Sequence, residues 1–185
     1  PDASRFSRVF AEFTALALPA RVHEALICAQ LGDPIMGHIA RDSTAIAARE
    51  KPAAKQPATQ EPVPEEIPLA EQAIAPTALS VIERQVDQRV AESLAELPTA
   101  CDVGSKKHSK GFKETWTGYK LPVDTADGDI PVTAMLTSAS RHDRHAAIPL
   151  MRLTGERVTY RYDLADAAYC SGVIREVSRQ EGHVP

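Results

Sequence analysis

At 185 residues, with 43% hydrophobic and 25% charged side chains, the chain has the size and composition of one well-packed globular domain. No apolar run approaches the roughly 20 residues that span a bilayer, so no membrane partner is expected. The net charge of −4 at first argues against nucleic acid as well, but its distribution reverses that reading. Between residues 56 and 100 eight acids (Glu61, Glu65, Glu66, Glu71, Glu83, Asp87, Glu92 and Glu96) meet only Arg84 and Arg89. The segment 106–120 instead gathers Lys106, Lys107, Lys110, Lys113 and Lys120 against Glu114 alone. Charge asymmetry of this kind says more about partners than the total does.

The opening Pro-Asp-Ala-Ser-Arg-Phe has no basic region followed by an apolar core, so no secretory signal is visible. A first residue other than Met is what a fragment or a processed chain shows. Three widely spaced cysteines, Cys28, Cys101 and Cys170, have no zinc-ligand spacing and fit a reducing, cytosolic compartment.

Residues 4–31 read as helical, with Phe6, Val9, Phe10, Phe13 and Leu16 spaced for one apolar face. Pro19 is expected to end this helix, because the residue before a proline is pushed out of the helical region. A second helix over about 20–30 carries Val22, Leu26 and Ile27. Leu31-Gly-Asp-Pro34 is a turn signal, and Gly37 to Ile46 reads as the central strand of a mixed sheet with Asp42 near its carboxyl end.

Residues 51–76 hold six prolines among Ala, Gln and Glu and read as an extended linker. The spacing of Leu79, Ile82, Val86, Val90, Leu94 and Leu97 predicts a helix opened by a Ser80-x-x-Glu83 capping box and stopped by Pro98. Residues 50–100 are thus an insertion between strands. Cys101-Asp-Val-Gly104 reads as a turn before the basic loop.

Trp116 to Thr125 alternates as a strand, Ala126-Asp-Gly-Asp129 is a hairpin turn, and Ile130 to Thr137 returns as its partner. Pro122 and Pro131 cannot donate ladder hydrogen bonds, which places the hairpin at or near a sheet edge. Ser140-Arg-His-Asp143 opens a helix to about Leu153, Glu156 to Leu164 is a strand, and Ala167 to Gln180 is a last helix.

Strand–helix–strand crossovers are right-handed and return the chain parallel to an earlier strand. If the last strand lies beside the first, Asp42 and Asp166 meet at neighbouring carboxyl ends, where α/β sheets collect their chemistry. Two convergent carboxylates call for a counter-charge, and hard oxygen ligands suit Mg²⁺ or Mn²⁺. Each aspartate also has a plainer reading: Asp42-Ser-Thr suits a turn or a cap, and Asp166 suits the N-cap of the last helix. Asp102 is a rival first carboxylate, and His142-Asp143 suits a helix cap. The lysine cluster with Trp116 and Tyr119 suits DNA phosphates and an unpaired base, or else a solvated loop beside a core tryptophan.

Taken in order, Asp42-Ser-Thr-Ala-Ile with Arg49-Glu-Lys-Pro52, Lys110-Gly-Phe-Lys, Trp116-Thr-Gly-Tyr-Lys-Leu121, Leu136-Thr-Ser-Ala-Ser-Arg-His-Asp143 and Tyr162-Asp-Leu-Ala-Asp-Ala-Ala-Tyr169 resemble the DDE transposases of bacterial insertion sequences. The resemblance covers most of the chain. It implies an α/β fold with a ribonuclease H-like mixed sheet, over residues 37–185, behind N-terminal helices at 1–36. It also implies metal-dependent DNA cleavage and strand transfer at transposon ends and target DNA, a possible homodimer, and a bacterial cytoplasmic, nucleoid-associated setting. Asp42 and Asp166 match the first and second catalytic, metal-binding aspartates. Lys106, Lys107, Lys110, Lys113, Trp116 and Lys120 are the expected DNA contacts.

The family's last residue, a Glu on a later helix, has no counterpart among the 19 residues after Asp166. Ala-Ala-Tyr follows Asp166 where Lys-Gly-Tyr is common, and Pro122 stands where a His is common. These departures read as an incomplete or inactive copy, or as a non-catalytic DNA-binding remnant of the same fold.

Overall fold

The computed structural model describes residues 3–31, 34–52, 79–107 and 111–185. The proline-rich linker lies almost wholly outside them, as do Lys110 and most of the turn before β1. The chain folds as a mixed α/β structure. Strands β1 (Met36–Ala47), β2 (Asp102–Lys107), β3 (Lys113–Ala126), β4 (Ile130–Ala134), β5 (Thr137–Ser138) and β6 (Tyr160–Ala165) form one sheet, ordered β2-β3-β1-β6, with β4 and β5 also on β3. Six α-helices flank it among the described residues: α1 (Ala3–Ala15), α2 (Leu18–Leu31), α3 (Val81–Asp87), α4 (Val90–Glu96), α5 (Arg144–Gly155) and α6 (Gly172–Gln180). None is long and apolar enough to cross a membrane.

β1 is central, antiparallel to β3 from Ile39↔Ala126 to Ala47↔Gly118 and parallel to β6 from Met36↔Tyr160 to Arg41↔Ala165. The parallel pairing follows from the α5 crossover, whose Ala146, Ala147, Ile148, Leu150 and Met151 are all buried. Alternation assigns the two faces. Ile39 and Arg41 with Gly118, Pro122, Asp124 and Ala126 are buried on one side, whereas Asp42, Thr44, Tyr162 and Leu164 are exposed on the other.

Gly118 has φ +150, and a Cβ there would come within 2.0 Å of the Ile46 carbonyl oxygen, so the close β1–β3 approach admits only glycine. The predicted hairpin turn is present, with Gly128 and Asp129 both at positive φ.

The hairpin lies at the sheet edge as expected, since β4 pairs with β3 alone, while β3 itself is an inner strand and carries Pro122. The Pro122 carbonyl accepts from Met135 N–H on the side where the β3 ladder is interrupted between β4 and β5. Asp102 to Gly104 is not a turn but the start of β2.

The first helix ends at Ala15, and Pro19 instead occupies the first turn of α2, where its missing N–H costs nothing. The helix predicted from Leu79 to Leu97 is two helices broken at Gln88–Arg89. Its capping box is present, with Ser80 N–H donating to Glu83 at 2.8 Å. The break is imposed from α5: Arg152 Nη1 donates to the Gln85 and Gln88 carbonyls and Nη2 to that of Val86, closing the end of α3.

The predicted last helix likewise divides into a 3-10 turn at Ala167–Tyr169 and α6, with Ile174 and Val177 buried as expected. The apolar stripe of α1 faces outward, with Phe6, Phe10 and Phe13 all exposed.

Candidate active site

Asp42 and Asp166 each stand one residue past the last registered pair of β1 and β6, Arg41↔Ala165. Neighbouring strands lie about 5 Å apart, so the two residues come side by side where β6 ends, although Asp42 lies in the middle of β1, which runs on along β3 to Ala47, rather than near its carboxyl end. Each carboxylate is exposed and uses one oxygen locally. Asp42 Oδ1 accepts from Ser43 N–H at 2.7 Å, and Asp166 Oδ1 accepts from Ala168 N–H at 2.9 Å as N-cap of the 3-10 turn. Among the described residues neither has an ion-pair partner.

The loop before α5 approaches the same end. Burial and the neighbouring Arg144 guanidinium hold the His142 imidazole below its ordinary value, against the pull of Asp143 and of Asp166. Tyr169 is buried three residues after Asp166, and its phenol is pushed up first by burial and then by the Asp143 charge, with Asp42 adding to it.

These groups set what the site can hold. Two carboxylates from neighbouring strands, each with one oxygen outside these hydrogen bonds, suit a hard divalent ion that keeps several waters or takes oxygens from a bound phosphate. They do not make a closed cage: among the described residues no set of three or more His, Cys, Asp and Glu side chains is gathered to hold a metal.

The basic cluster separates into two groups. Lys106 lies on β2 opposite Glu114, Lys107 opposite Lys113, and Lys106 and Lys113 are exposed at the end of a two-stranded ribbon that runs beyond β1. Lys110 falls outside the described residues. Lys120 and Trp116 are instead tied to the body of the domain. Lys120 Nζ donates to the Arg141 carbonyl at 2.8 Å and pairs with Asp143 at 3.0 Å. Trp116 Nε1 donates to the Tyr119 carbonyl at 3.0 Å and its ring lies against Gly104. The Tyr119 phenol donates to Glu50, which pushes its pKa up to about 12. Asp102, the rival carboxylate, accepts from Ser140 N–H at 2.9 Å and from the Ser140 hydroxyl, on the strand farthest from β6.

Sequence reasoning missed the buried charges behind Asp42. Arg41 lays Nε and Nη2 on the two oxygens of Asp124, both at 2.8 Å, and reaches Asp163 through Nη1 at 3.1 Å. Thr154 donates to Asp124 at 2.7 Å. Burial pushes the Asp124 carboxyl up against the pull of Arg41, and the Asp163 charge adds to the rise. Burial alone would push Arg41 down, but Asp124 and Asp163 together outweigh it and the guanidinium is held charged. The available signal was an arginine inside an apolar strand, which needs a buried counter-charge.

No protein-family model, curated protein or solved structure matches the chain.

Proposed function

We propose that the chain is the core of a DNA-cleaving and strand-transferring enzyme of the DDE transposase kind, with a ribonuclease H-like sheet. The observation that carries the reading is the parallel seating of β6 on β1, which stands Asp166 next to Asp42. A strand order with a central β1, antiparallel β3 on one side and parallel β6 on the other is the arrangement that a ribonuclease H-like core requires.

Asp42 and Asp166 would hold Mg²⁺ or Mn²⁺, which neutralises charge on the phosphodiester when bound. The Ser43 and Ala168 N–H groups fix one oxygen of each carboxylate and leave the other available to a ligand. In the cleavage step a water oxygen bonds to phosphorus, the bond to the 3′ oxygen breaks, and that oxygen leaves as a 3′-hydroxyl. In strand transfer this hydroxyl attacks a second phosphodiester. In-line displacement of this kind depends on positioning and charge more than on many side chains.

The lysine ribbon supports DNA as the substrate. From Val123, opposite Asp42, to Lys113 is ten residues of β3, or roughly 30 Å of strand, close to one turn of duplex. A duplex lying across the carboxylates and along the ribbon meets Lys113 about one turn from the reacting bond, whereas Lys106, paired with Glu114, alternates to the other face.

The test is nicking of duplex DNA in Mg²⁺ or Mn²⁺ by the chain as it stands and by a form extended at its C-terminus. Cleavage that disappears in Asp42→Ala and Asp166→Ala supports the reading. Metal-independent binding without cleavage in either form supports the second reading, a non-catalytic DNA-binding protein of the same fold. The absence of a third gathered ligand among the described residues favours that alternative.

A further inference from the structure

We propose that Arg41 is a positioning residue, whose buried guanidinium ties β6 and β3 to β1 directly behind Asp42 and so holds Asp42 and Asp166 side by side. The inference rests on the functional reading above and adds the group that keeps its two carboxylates in place.

Arg41 immediately precedes Asp42, and alternation sends the two side chains to opposite faces. On the buried face its fork takes both oxygens of Asp124 on β3, while Nη1 reaches back to Asp163 on β6, three residues before Asp166. Thr154 fastens Asp124 to α5. One guanidinium therefore joins the central strand to both neighbours at the level where the candidate site begins.

The site needs such a clasp. The β1–β6 ladder ends at Arg41↔Ala165, so Asp42 and Asp166 lie past its last pair, where β1 runs on along β3 and no ladder bond keeps β6 beside it. Between β1 and β6, which no tight turn joins, register is set by which residues are apolar, and a slip of one position turns every side chain to the wrong face. Stability alone does not account for the clasp. Well-packed apolar residues in place of a buried ionic triad are often as stable or more so, whereas setting register is the best-attested use of such groups.

Two measurements on the full chain test this: Mn²⁺ affinity from the electron paramagnetic resonance signal of the free ion, and nuclear Overhauser contacts between the backbones of Arg41 and Ala165. Asp163→Ala removes the β6 half of the clasp and leaves the Arg41–Asp124 fork. It is expected to weaken Mn²⁺ binding about 10–100-fold, with loss of the Arg41–Ala165 contacts, whereas Thr154→Val, which loosens only α5, stays within about twofold. A folded Asp163→Ala protein that keeps both the affinity and the contacts overturns the proposal. Should that variant not fold, Asp163→Asn is read by the same two measurements. If the unmodified chain takes no Mn²⁺, or Asp42→Asn takes it equally well, the functional reading fails, and the cross-strand contacts alone decide whether Arg41 holds β6 beside β1.

Discussion

Arg41 and Asp42 are adjacent in the chain and opposite in the fold. The guanidinium is almost wholly buried against Asp124 and Asp163, while the carboxylate beside it is exposed in the middle of β1. The pleat of one strand thereby separates a buried, fully paired charge from a charge left open to solvent.

Removing the buried charge alone is the costly change. Arg41→Met leaves two carboxylates facing each other in the interior, and the expected loss is about 3–5 kcal/mol by urea denaturation. Replacing the set together, as Arg41→Met with Asp124→Leu and Asp163→Leu, removes the unpaired charges as well. That triple variant is expected to recover most of the loss, because the price of desolvating the ions disappears with them.

Gly118→Ala tests the close contact of β1 with β3. With the Ile46 carbonyl 2.0 Å from the new methyl group and φ at +150, the strands must separate. The expected cost is on the order of 4 kcal/mol or more, read as a large drop in melting temperature. Gly128→Ala, in open space at the hairpin turn, bears only the positive-φ penalty of about 1 kcal/mol.

His142 makes stability depend on pH. Its folded value lies below the ordinary 6.5, so the unfolded chain takes up the proton first as pH falls. Between 6.5 and the lowered folded value the unfolded state binds more protons, and stability falls as pH falls through that window. Urea midpoints across pH 5–7 are expected to decline toward acid, and His142→Asn is expected to flatten the decline.

The lysine ribbon predicts a salt dependence and a length dependence. Lys113→Ala is expected to lower the slope of log affinity against log salt by about one, with no change in sequence preference, whereas Lys106→Ala, on the other face of the ribbon, leaves it unchanged. Duplexes extending less than about ten base pairs beyond the reacting bond on the ribbon side are expected to bind the unmodified protein no better than the Lys113→Ala variant does. Fluorescence anisotropy across a salt series measures both.

Local features were legible in the sequence because short-range physics sets them. The β1 strand, the Ser80–Glu83 capping box, the Asp-Gly hairpin turn and the apolar side of α6 all depend on residues within a few positions of one another. Strand order and the crossover rule then pointed to a last strand parallel to β1, since few topologies satisfy a hairpin followed by a strand–helix–strand return, but not to β1 running five residues past Asp42.

What only the tertiary structure decided are the long-range partnerships. The carboxylates that meet Arg41 come from 83 and 122 positions away, and nothing in Arg-Asp-Ser-Thr names them. Residues 88–89 contain neither Gly nor Pro, yet the helix breaks there because Arg152 takes the carbonyls that end α3. The lysines from 106 to 120 form one cluster in the sequence, but the fold divides them, sending Lys106 and Lys113 to solvent and Lys120 to Asp143. Propensity and alternation act over a few residues and leave their mark in the local sequence. A buried charge or an orphaned carbonyl is satisfied by whichever group the packing brings to it, and that group's place in the chain is arbitrary.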